Sequence, residues 1–117
     1  MNISILYDHR GEANVDFNEI VIYNFETQSY STKFQNTLKE NKINTVSAGL
    51  IDFLADGSAI IEDNNNGKIY YINDNGEVIW EFMNLNSKNK VYPVVWARLI
   101  DTEKSNKIRD LIKEKNE

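Results

Sequence analysis

The sequence predicts an all-β fold: about two four-stranded antiparallel propeller blades, the first lacking its inner strand, an extra inner strand towards the C-terminal end, and a short C-terminal helix. Three observations predict it. Short β-rich apolar runs are separated by gaps filled with Asp, Asn and Gly. The runs recur with a period of about 50 residues, in the range of propeller blades. Their apolar residues fall on both faces, as in Ile69-Tyr70-Tyr71-Ile72 and Val78-Ile79-Trp80, which suits a sheet held between two others better than a sheet packed on one side. A small antiparallel barrel or sandwich is the alternative.

From the N-terminus, "NISILYD" alternates and stops at Asp8, "NEIVIYNF" is a second β-rich run and "SYSTKF" a third. The later copy is clearer: "VSAGLIDFL", turn "ADG", "SAIIED", loop "NNNG", "KIYYIN", turn "DNG", "EVIWEFM". Residues 19–24 align with 68–73, and 5–8 with 60–63. Asp56-Gly57 and Asn75-Gly76 put Gly where a hairpin requires positive φ. "VYPVVWARL" then reads as one more inner strand, with Pro93 near its start or on an edge. Residues 1–100 are the blade pair and 101–117 a tail. In that tail Asp101 or Thr102 serves as N-cap, Glu103 sits in the first turn, and Ile108, Leu111 and Ile112 have helical spacing. The narrow apolar stripe suits packing on a ring exterior or a neighbouring chain more than a membrane, and the late Lys residues complement the helix dipole.

The chain has 117 residues, enough for one domain, and 41% hydrophobic content. A net charge of −5 with no clustered basic surface argues against nucleic acid as a partner. There is no cysteine, hence no disulfide frame, thiolate nucleophile or thiolate metal site. No window approaches a membrane span and the start carries no signal-type segment, so the expectation is a soluble cytoplasmic protein without a membrane partner.

Gly67-Lys68-Ile69-Tyr70-Tyr71-Ile72 and Gly76-Glu77-Val78-Ile79-Trp80-Glu81-Phe82 resemble the paired strands of an arylsulfotransferase-like β-propeller blade. "NISILYD" with "NEIVIYNFET" is similar to the preceding blade and "VYPVVWARLI" to the last strand. The resemblance covers residues 2–100, is strongest over 67–82, and implies the last two blades of a propeller family whose members are several times longer. It also implies sulfuryl transfer between phenols through a transiently sulfated histidine, with no nucleotide donor.

If blades run A to D from channel to rim, the chain reads B, C, D over 2–34, a full A to D over 46–83, and a further A-like strand over 91–99. Two blades cannot close a ring, and they leave apolar faces that a soluble monomer does not tolerate. The expected remedy is association, with a head-to-tail homotrimer of about six blades first and a second propeller chain as the rival.

Ligand chemistry is expected on the face carrying the B–C loops "DHRGEANVDF" and "DNNNG" and the connections "QNTLKENKINT" and "NLNSKNK", which gather Asp8, His9, Arg10, Asp63, Asn64, Asn65 and several Lys. His9 is the one histidine and the catalytic candidate, although its loop is not where the family places its nucleophile; Ser47 stands in the inner-strand approach "TVSAGL". Arg10, Asn64, Trp96 and Arg98 are ligand-binding candidates; Arg98 beside Trp96 suits an anionic aromatic ligand, or an ion pair between blades. No metal and no cofactor are expected: "DNNNG" lacks the length and terminal Glu of an EF-hand. The function expected is a ligand-binding or assembly module lacking the full catalytic set. The alternatives are an arylsulfotransferase-like enzyme when assembled, and a structural fragment without ligand.

Overall fold

A computed structural model describes residues 1–7, 14–45, 49–95 and 97–116. Two antiparallel sheets carry the fold. The first is β1 (Asn2–Tyr7), β2 (Glu19–Asn24) and β3 (Ser29–Lys33). A short helix, α1 (Gln35–Glu40), leads to the second: β4 (Gly49–Phe53), β5 (Ala59–Asp63), β6 (Lys68–Ile72) and β7 (Val78–Met83). A terminal helix, α2 (Thr102–Asn116), follows. Within each sheet the strands pair in chain order. This is the blade-like all-β architecture expected, three strands in one sheet and four in the other, without closure into a barrel.

The turns follow their chemistry. Gly57 and Gly76 have φ of 86° and 87°. In each hairpin a type I turn closes on the Gly: the Gly57 amide donates to Leu54 O at 3.0 Å and the Gly76 amide to Asn73 O at 2.9 Å. The left-handed Gly then returns the chain to the ladder, which a residue with a Cβ does less readily.

The core lies between the two sheets. Ile20 of β2, Leu38 of α1 and Ile43 pack with Ala59 and Ile61 of β5 and Tyr70 and Ile72 of β6, all at most 2% exposed. Leu6, Ile22, Ile51, Phe53 and Val78 line its margin. Lys33 fastens the end of the first sheet to the hairpins of the second. Its ammonium donates to Gly57 O at 2.8 Å, pairs with Asp74 Oδ1 and stands 4.9 and 5.5 Å from the Phe34 and Phe53 ring centroids. Thr37 Oγ1 adds a bond to Gly76 O.

Strand alternation turns the remaining apolar residues outward. On the first sheet Ile3 and Ile5 sit opposite Tyr23 and Val21, on the face away from the core; Ile3, Ile5 and Tyr7 are each about half exposed. On the second sheet Tyr71 sits opposite Trp80, and Ile69 opposite Phe82, again away from the core. The Trp80 and Phe82 rings stack at 6.3 Å and are 49% and 43% exposed. Both outer faces are therefore apolar and open. The molecule measures 54 × 40 × 23 Å, with a radius of gyration of 16.6 Å, against about 13.4 Å for a compact chain of this length. Its accessible surface is 8479 Å² for 13.6 kDa, against about 6,600 Å² for a typical monomer.

Two segments differ from expectation. "QNTLKENKINT", expected as a plain connection, contains α1. Phe34 starts it at φ 60°, and Leu38 is fully buried. Burial of this one turn, not intrinsic propensity, holds six residues helical. The expected extra inner strand over 91–99 forms no strand among the described residues; it contributes one bridge, Val91 to Leu85. A strand requires a ladder partner, and the segment finds none among the described residues. The tail helix forms as expected. Asp101 is its N-cap, with Oδ1 accepting from the Lys104 amide at 2.8 Å, and no residue of α2 is buried. No helix among the described residues is long and apolar enough to cross a membrane.

Candidate functional site

The β5–β6 loop, the approach to β2 and the segment after α1 converge at one end of the sheets and bring a set of polar groups together. Asn18, fully buried, is matched against Thr45: Asn18 Nδ2 donates to Thr45 O at 3.2 Å, the Thr45 amide to Asn18 Oδ1 at 2.6 Å, and the Asn18 amide to Ile43 O at 2.7 Å. Thr45 Oγ1 extends the network to Asn65 Oδ1 at 3.1 Å. This set of amide bonds substitutes for a sheet ladder between the two sheets.

At the end of β5, three consecutive polar residues are buried: Glu62 at 4%, Asp63 at 1% and Asn64 at 8%. Alternation sends Glu62 to the open face, where Oε2 accepts from the Ala97 amide at 2.7 Å. Asn64 clamps the C-terminal segment, its Nδ2 donating to Val94 O while its own carbonyl accepts from the Val94 amide at 3.3 Å. Gly67 permits the close approach. Its φ is 60°, and a Cβ there would come 2.2 Å from Tyr92 O.

Asp63 lies on the other face of β5, the one that carries Ala59 and Ile61. It lines a cleft of about 340 Å³ with Lys42, Asn66, Lys68, Tyr70 and Met83. Asp63 Oδ2 accepts from Asn66 Nδ2 at 2.9 Å, and Oδ1 is buried with no hydrogen-bond partner. Such an oxygen costs about 1–3 kcal/mol when left unmatched, more when charged. The Lys68 ammonium lies 5.7 Å from the Tyr70 ring centroid. Burial pushes the Tyr70 phenol above its ordinary pKa against the opposing pull of Lys68, so it stays protonated at neutral pH.

Of the residues singled out from sequence, Asn64 is placed in this region with its amide held by the chain itself. Arg98 is exposed and donates to Ala97 O at 3.3 Å. His9, Arg10 and Trp96, like Asp8 and Ser47, lie outside the described residues. Among the described residues no group of three or more His, Cys, Asp or Glu side chains converges as a metal site would. The cleft residues Lys42, Lys68 and Tyr70 were not singled out from sequence. The available signal was the register: Asp63 sits opposite Lys68, the two flanking the Asn-rich loop on one face.

A family model described as Arylsulfotransferase (ASST) matches residues 6–85. No curated protein and no solved structure gives a significant match.

Proposed function

We propose, from the premise that this chain belongs to the arylsulfotransferase family, that it is a β-propeller module which completes its ring by head-to-tail association and serves in ligand binding or assembly. The observation that carries this reading is the pair of open apolar faces. One is built on β1 and β2 around Ile3, Ile5 and Val21, the other on β6 and β7 around Tyr71, Trp80 and Phe82. They lie on different sheets and point away from a common core, so each is available to bury the other only between copies, in a heterologous contact that closes into a ring.

The unpaired edge of β1 adds the second element of the contact. Among the described residues β1 pairs with β2 alone, and an open edge is a template for another strand. Residues 91–99 are the natural occupant. They carry Val91, Tyr92, Val95 and Leu99 exposed and leave their own sheet on the open-face side, where Ala97 meets Glu62. Three copies satisfy the usual blade count. The ligand face of that ring carries the loops with His9, Arg10 and Asn64, and an anionic aromatic compound is the ligand class that Arg98 with Trp96 suits. The inner-strand approach has Ser47 where the family resemblance leads one to look for histidine, which favours binding over sulfuryl transfer.

Light scattering coupled to size exclusion tests the assembly. A discrete mass three times the 13.6 kDa of one chain is expected; a folded species with the mass of a single chain overturns the ring. Turnover of a chromogenic phenyl sulfate with a phenol acceptor would overturn the non-catalytic reading.

A further inference from the structure

The cleft around Asp63 is built by a single chain, from the second sheet, the β5–β6 loop and the segment after α1, with Val91 at its margin. We propose that it binds a small polyhydroxylated carboxylate, of the size and chemistry of a sugar acid. The strongest observation is Asp63 Oδ1, buried in a residue 1% exposed and without a partner. Native structures pair such atoms with protein, water or ligand. As an acceptor oxygen it calls for a donor, which a hydroxyl supplies.

The amides around it ask for the same. Asn66 Nδ2 is used on Asp63 and Asn41 Nδ2 donates to Thr37 O at 2.9 Å, which leaves each Oδ1 to accept from further hydroxyls. The cations ask for the opposite. Lys42 and Lys68 line the cleft, and neither forms an ion pair among the described residues. Among the lining side chains two ammonium groups stand beside one carboxylate, with Glu81 opposite Tyr70 just outside the lining, and the two ammonium groups are the local partners for a ligand carboxylate. Met83 supplies an apolar wall for a carbon chain, and about 340 Å³ is at the small end of ligand pockets.

Titration calorimetry on the full chain tests this with D-gluconate as probe, sorbitol as the same hydroxyls without the charge, and hexanoate as the charge without the hydroxyls. Gluconate is expected to bind saturably, and sorbitol and hexanoate at least about tenfold more weakly, a difference of about 1.4 kcal/mol. Asp63→Asn is expected to weaken gluconate by a similar factor. Lys42→Gln, at an exposed position that leaves the core intact, is expected to do the same and serves if the Asp63 variant fails to fold. Absence of saturable binding to the folded chain, hexanoate binding as tightly as gluconate, or gluconate affinity unmoved by these substitutions overturns the proposal. So does a crystal soaked in gluconate that shows water alone on Asp63 Oδ1.

Discussion

Two glycines with the same backbone requirement differ in what surrounds them, and the difference is measurable. A Cβ at Gly67 meets the carbonyl oxygen of Tyr92 at 2.2 Å, whereas at Gly57 it meets the far end of the Asp74 side chain at the same distance. Side chains move aside and backbone does not. Gly67→Ala is therefore expected to cost the left-handed strain of about 1–3 kcal/mol plus displacement of the 91–94 segment, and Gly57→Ala the strain plus rotation of the half-exposed Asp74 side chain away from Lys33, worth at most about 1 kcal/mol. Urea midpoints compare the two, and equal losses would contradict the close approach. Tyr70 offers a pH test. Its folded pKa is raised by burial above the ordinary 10.0, so its contribution to stability is complete below that value and is lost as pH rises through the folded pKa. Tyr70→Phe is expected to remove this alkaline loss, read as urea midpoints on either side of pH 10.

At the scale of elements, the most informative is the one the sequence conceals. Helix α1 has six residues, too few for a 3.6-residue period to register, and it holds only because Leu38 reaches the core between the sheets. Leu38→Ala is expected to destabilise by about 2–5 kcal/mol, seen in a thermal or urea melt, and to loosen both sheets together, since Leu38 touches the shared core. All seven strands among the described residues were legible, because apolar runs and Asx-Gly turns are local signals: Gly57 and Gly76 mark their hairpins without reference to anything distant. The helix cap at Asp101 was legible for the same reason. The fate of 91–99 was not, since its β-rich composition states a preference while strand formation requires a partner. The cleft was half legible. Asp63 stood out as a polar residue on the loop face, with Asn66 three residues on as a local partner, but the arrival of Asn41 and Lys42 beside it from the segment after α1 is a tertiary fact that spacing does not encode.

At the scale of the whole molecule the proposed ring rests on the two open faces. In a heterologous junction the Ile5 face of one copy covers the Trp80 face of the next, so Ile5→Lys alone is expected to reduce the particle to single chains. If the Trp80 faces instead paired with each other across a two-fold axis, the same variant would remain a dimer, and sedimentation separates these outcomes. The order of pairing within each sheet carries one more consequence. Within each sheet every strand bonds to its neighbour in sequence, so the connections to be closed are local, the longest running over residues 8–18, and the entropy of closing them is small. Sheet formation is then rapid and first order, whereas covering the outer faces requires collision and slows with dilution. If the proposed ring forms, a newly made chain passes through an interval in which it is folded yet half bare, and the length of that interval is set by how many copies are made nearby.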